Sequence, residues 1–184
     1  MNQPNIILIS IDTLRADHLS CYGYERETTP HIDEIAKDGI LYKNAYSTAA
    51  WTPPAHASML TGLYPSQHGA VDNRQLDPSV PTLAEILRRS GFSTAGFVNN
   101  SQVGELVGLN RGHHYFHEVW KGTRSHSIVE RSLRYLFQAT KEMTGLTDHG
   151  ADRTNRLVRS WLGQGHKNPF YVFIHYIEPH NPLQ

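Results

Sequence analysis

Asn5-Ile-Ile-Leu-Ile-Ser-Ile11, running directly into Asp12-Thr13, is a short and nearly continuous β-branched run. Such a run suits a parallel strand buried on both faces. Ser93 to Val98 and Phe170 to Tyr176 read as two more strands, and helical patterns lie between the three. Thr29-Pro30 supplies an N-cap and a first-turn proline, with Asp33 and Glu34 near the positive end of the helix. Ile32, Ile35 and Ala36 form its expected inner stripe, and Gly39 ends it. Ile40 to Ala45 reads as a short extended piece. Thr52-Pro53-Pro54 opens a second helix, running to about Leu60 and closed by Gly62. Thr82 and Glu85 make a capping box ahead of Leu83, Ile86 and Leu87, with Gly91 as the stop. Ile128 to Met143 and Ala151 to Leu162 complete the helices. Gly104 to Thr123 holds four glycines and reads mostly as loop. Strands alternating with helices predict an α/β fold, a mostly parallel sheet flanked by helices with the three strands as neighbours.

Composition narrows the functional classes. The 184 residues are enough for one domain, and a hydrophobic fraction of 39% suits a globular chain. Seventeen basic residues balance seventeen acidic ones, so no overall field draws the chain to nucleic acid. Cys21 is the sole cysteine, which rules out an internal disulfide. No segment has the length of a membrane span, and the N-terminal apolar run is too short for a signal peptide. The expectation is a cytoplasmic protein.

Ligands of open parallel sheets bind beyond the carboxyl ends of the strands. Those ends carry Asp12 and Thr13, then Asn99 and Asn100, then Glu178 and His180. Strand ends are also polar simply because loops are polar, and the residues alone leave both readings open. Thr52, expected as a helix N-cap, would set its hydroxyl among unpaired N–H groups suited to phosphate or sulfate. An ordinary Thr-Pro cap has the same sequence.

Three collinear segments resemble the sulfatase family of the alkaline phosphatase superfamily. Pro4 to Asp17, followed by Cys21-Tyr-Gly23 and Thr29-Pro30-His-Ile-Asp33, is similar to that family's opening strand, loop and first helix. Trp51-Thr-Pro-Pro-Ala-His-Ala-Ser-Met-Leu-Thr-Gly62, with Tyr64-Pro65 and His68-Gly69, resembles its Cys/Ser-x-Pro-x-Arg signature segment. Pro169 to Pro182, containing His175 and Pro179-His180, is similar to a later strand ending in a Pro-His-x-Pro turn. The resemblance implies an alkaline-phosphatase-like sandwich, of which residues 1–184 are the N-terminal, truncated part of the catalytic domain.

It also implies roles. Asp12 matches the first metal-binding aspartate, and Thr13 stands where typical members have a second. Thr52 falls at the nucleophile position, where sulfatases carry a Cys or Ser oxidised to formylglycine. Members of the superfamily that transfer phosphoethanolamine use an unmodified threonine there. The implied metal set is thus Asp12, Thr13 and Thr52, around a divalent cation (Ca, Mg, Mn or Zn). His56 replaces the signature arginine, Asn99 the sulfate-binding lysine, and Ser101 a histidine. His180 matches a histidine that contacts substrate. Thr52, His56 and His180 are the implied catalytic residues, and Asn99 and Ser101 the substrate-binding ones.

Cys21 belongs to the structural loop. His113, His114 and His117 read as loop histidines, and Asp148-His149-Gly150 as a chance copy of the second metal motif, which is expected beyond His180. The function implied is a metal-dependent hydrolase or transferase of sulfate or phosphate esters, small-molecule, glycan or lipid. It would be completed by a C-terminal portion or another subunit. The alternative is an inactive remnant that keeps the fold and weak anion binding.

Overall fold

The computed structural model describes residues 3–72, 74–121 and 150–180. Its strands are β1 (Ile6–Ile11), β2 (Ser93–Val98), β3 (Tyr115–Glu118) and β4 (Phe170–Tyr176). They form one parallel sheet in the order β1-β4-β2-β3. The helices are α1 (Pro30–Asp38), α2 (Thr52–Thr61), α3 (Pro65–His68), α4 (Leu83–Arg89) and α5 (Ala151–Leu162).

Period-two alternation splits the strand side chains between two cores. Tyr171 and Phe173 of β4 and Val98 of β2 point to one face, where they meet Ala57 and Leu60 of α2 and Ala84 of α4. Ala95 and Phe97 of β2, with Val172 and Ile174 of β4, point to the other and pack on Val158 and Trp161 of α5. The result is the expected α/β sandwich, with β4 between β1 and β2. Thr82 caps α4 by accepting from Glu85 N at 3.2 Å, while Glu85 Oε2 accepts from Thr82 N at 2.8 Å.

Several expectations are corrected. The stretch read as loop contains β3, an edge strand of four residues whose Phe116 lies against Gly96 of β2. Its brevity and its polar Tyr-Phe-His-Glu composition conceal the alternation that marks a longer strand. His117 is therefore a strand residue. Ile40 to Ala45 forms no strand, and β1 is not buried on both faces, since Ile7 and Ile9 are exposed. The apolar stripe of α1 finds no core: no residue of that helix is buried, and Ile35 is 73% exposed. Polar contacts anchor its start instead, with Asp33 Oδ1 accepting from Cys21 N at 2.9 Å and from Thr29 Oγ1 at 3.1 Å. Ile86 of α4 is likewise exposed, and Ala84 faces the core in its place. The helix expected over Ile128 to Met143, and Asp148 and His149, lie outside the described residues.

Two glycines separate backbone strain from crowding. Gly62 and Gly112 are both left-handed, with φ of 73° and 83°. A Cβ on Gly62 would meet open space, whereas one on Gly112 would collide with the backbone of Ala84 and Glu85. Gly62→Ala is expected to cost about 1 kcal/mol. Gly112→Ala should cost roughly 2–4 kcal/mol, because the α4 backbone must shift as well. Urea denaturation of both variants measures the difference, and equal losses would contradict this packing.

Candidate functional site

The strand register assembles the site. Ser10 pairs directly with His175, and Asp12 N donates to Tyr176 O at 2.9 Å, continuing the β1–β4 ladder past the last strand residue. On the period of two, Ser10 follows Ile6 and Leu8, and His175 follows Tyr171 and Phe173, onto the face that carries α2. Asn100 follows Val98 onto the same face. His175 of β4 and Asn100, just past β2, thus reach the Asp12 carboxylate at the C-terminal edge of the sheet.

Asp12 Oδ2 accepts from Thr52 Oγ1 at 3.2 Å and from Asn100 Nδ2 at 3.3 Å. His175 Nε2 stands 3.5 Å from the same oxygen, longer than a well-formed hydrogen bond but close enough for strong electrostatic contact. Burial alone would raise the Asp12 carboxyl, but His175, His56 and Thr52 outweigh it and hold the group at about 2. Thr13, next in the chain, has φ of 60°. That is an uncommon conformation for a β-branched residue, and it turns the chain sharply out of β1.

Thr52 is the first helical residue of α2, and Trp51 occupies the N-cap position. This corrects the expected cap. Pro53 and Pro54 carry no N–H, so two of the donors that usually make a helix N-terminus an anion cradle are absent. The helix dipole remains.

His56 lies one turn along α2 and is 7% exposed. Its Nδ1 lies 2.9 Å from Thr52 O, and its Nε2 3.0 Å from Ser10 Oγ. A carbonyl can only accept, so Nδ1 carries the proton and the Ser10 hydroxyl donates to Nε2. Burial and the nearby His175 ring lower the proton affinity of His56. It therefore ties α2 to β1 as a neutral ring, with both nitrogens engaged.

The remaining implied residues occupy other surroundings. Asn99 is buried on the α5 side, against the backbone of Gly150. Ser101 opens a single 3₁₀ turn, Ser101–Val103, capped by Asn100 Oδ1 accepting from Gln102 N at 2.9 Å. His180 is exposed in the turn after β4, where its N–H donates to Ile177 O at 2.8 Å. Sequence reasoning assigned no role to Ser10 or His175. Their signal is a polar residue at period two behind apolar ones, in strands that pair with each other. A cavity of about 760 Å³ opens beside the site, lined by Asp12, Thr13, His56, Tyr46, Met59 and Tyr64 among others.

A family model described as Sulfatase matches residues 4–184. Over 98 residues the chain is 40% identical to an N-acetylgalactosamine-6-O-sulfatase of Bacteroides thetaiotaomicron, covering 50% of this chain and 19% of that protein. The matched stretch thus spans about a fifth of that relative's length. A solved structure containing D-glucosamine-2-N,6-O-disulfate as substrate superposes with a TM-score of 0.77 at 22% identity, covering 100% of this chain and 36% of the other. A phosphonate monoester hydrolase of Agrobacterium radiobacter does so at 0.70 and 23%, covering 98% and 42%. At those identities the two structures establish the fold alone.

The buried histidines give stability a defined pH dependence. Burial lowers His56, and lowers His113 to about 4, so the unfolded chain takes up protons first as pH falls below about 6.5. Their contribution is complete above that pH and declines below it, on the order of 2 kcal/mol for His113 alone by pH 5. Asp12, held low, loses its contribution only as pH falls from about 4 through 2. Urea midpoints should therefore drop between pH 7.5 and 5, and His113→Phe should flatten the drop. An unchanged slope in that variant would assign the decline to other groups.

Proposed function

The chain belongs to the sulfatase family, and we propose on that premise that it carries the nucleophile-bearing half of a site that hydrolyses or transfers a sulfate or phosphate ester. The observation that carries this reading is the hydrogen bond between Thr52 Oγ1 and Asp12 Oδ2, formed across 40 residues of sequence at the start of a helix. In the proposed reaction, Thr52 Oγ1 gives up its proton to solvent and bonds to the sulfur or phosphorus, and the bond to the ester oxygen breaks. The departing oxygen takes a proton from solvent. The ester left on Thr52 then passes to water, or to an acceptor hydroxyl in a transferase.

Asp12 does not serve as the base. A carboxyl held at about 2 is far too weak to take the proton of an alcohol. Its work is to orient the hydroxyl and to present negative charge. Asp12 and Thr52 offer oxygen donors, which suit a hard divalent cation (Ca, Mg, Mn or Zn). Among the described residues no cluster of three His, Cys, Asp or Glu side chains surrounds it, so these residues supply part of a shell. A bound cation would lower the proton affinity of a coordinated hydroxyl and offset charge on the ester. The α2 dipole favours the negative ester group, while Pro53 and Pro54 limit what the helix backbone can donate. Sulfated amino sugars, the substrates named for similar proteins, are the first esters to test.

Thr52→Ala should abolish turnover of p-nitrophenyl sulfate and phosphate by the protein, and Thr52→Ser should retain a substantial part. Equal activity in wild type and Thr52→Ala would refute the nucleophile. The 184-residue chain itself should bind Ca²⁺ or Mn²⁺ no tighter than roughly 0.1 mM, as expected for few ligands, and turn over poorly. Micromolar affinity with Thr52-dependent turnover would show that these residues form a complete site.

Thr13→Asp adds a carboxylate beside Asp12 and tolerates the left-handed backbone better than threonine does. It should tighten cation binding about tenfold in calorimetric titration. Unchanged or weaker binding would place the Thr13 side chain outside the coordination sphere.

A further inference from the structure

We infer that His175 and Asn100 are positioning residues that hold Asp12 by a single oxygen, Oδ2, and leave Oδ1 to face a cation. The inference rests on the metal-binding reading of Asp12 and assigns roles to residues which that reading does not use.

The geometry is one-sided. Thr52 Oγ1, Asn100 Nδ2 and His175 Nε2 all approach Oδ2, at 3.2, 3.3 and 3.5 Å, and none of the three is hydrogen-bonded to Oδ1. The Asn100 amide cannot turn over without loss. Its Oδ1 caps the 3₁₀ turn by accepting from Gln102 N at 2.9 Å, which aims Nδ2 at Asp12. Asn100 therefore links the backbone turn after β2 to the carboxylate after β1.

His175 is 0% exposed, and neither of its ring nitrogens has a hydrogen-bond partner among the described residues. A buried polar group in that state is costly to the fold. Asp12 Oδ2 is the acceptor nearest its Nε2 that the structure pairs with it, so a neutral ring places its proton there. The neighbouring His56 ring, centroid 5.0 Å away, has its own nitrogens committed to Thr52 and Ser10 and cannot serve as a partner. Register fixes the ring as well, since His175 pairs with Ser10 between β1 and β2 in the middle of the sheet.

Long-range ¹H–¹⁵N correlation on the metal-free full chain reads the ring directly. The Nε2–H tautomer of His175 is expected, and an Nδ1–H tautomer would overturn the assignment. The second arm is Mn²⁺ titration followed by water-proton relaxation. His175→Leu should weaken binding by about ten- to a hundredfold, the usual effect of removing a group that orients a metal ligand. His175→Gln, which restores an N–H near the Nε2 position, should recover most of it, and a merely structural role would not predict that rescue. Equal affinities in wild type and His175→Leu, or no rescue in a folded His175→Gln, would overturn the proposal. If wild type binds no Mn²⁺, the metal reading fails, while the tautomer still decides whether His175 holds Asp12.

Discussion

Side chains on a parallel strand alternate with a period of two, so the register in which β1 meets β4 decides what lies on each face. Here Ser10 stands opposite His175. A slip of one residue would send His175 into the α5 core and turn Ile174 toward Asp12. The aromatic residues Tyr171 and Phe173 oppose that slip, because they fill the core beneath α2 and have no equivalent space on the other face. Packing several residues away thus fixes where the polar groups arrive. The site is a by-product of hydrophobic registration.

Much of this was legible in sequence because it follows from local rules. The Asn5 to Ile11 run, the Thr82–Glu85 box and the α5 pattern each report on their own neighbours, and each element formed where expected. Asp12 and Thr52 were legible as well, since strand ends and helix starts are fixed by punctuation. The failures share one cause. Ile35 and Ile86 have the right spacing for a buried stripe, but spacing does not state whether another element lies opposite. Asn99 and Asn100 differ only by which face each occupies. Sequence favoured Asn99, whereas the alternation through Val98 delivers Asn100 to Asp12. His175 is hidden for the same reason, since its significance appears only when β1 is laid beside it.

The balance of charge at the site is also a consequence of packing. His56 is a neutral ring at neutral pH, and the groups around Asp12 are a hydroxyl, an amide and imidazoles. Such donors orient a carboxylate without cancelling its charge. Asp12 therefore remains a source of negative potential at the mouth of the cavity, beside the positive end of α2. The two fields oppose one another across a few ångströms. An anionic ester would be drawn to the helix end and kept from the carboxylate unless a cation stood between.

The pairing of β1 with β4 also orders events in time. Phe170 N donates to Asn5 Oδ1 at 3.1 Å, a contact that closes 165 residues of chain. β1 and Asp12 are synthesised well before their strand partner β4. Loop closure itself adds little for such a span, because its cost grows only with the logarithm of length. The greater effect is on rate, since non-local parallel pairing is intrinsically slow. During that interval β1 exposes Ile-rich faces and both backbone edges, a template for pairing with other chains. Until β4 arrives, β1 is therefore a segment of the nascent chain open to mispairing.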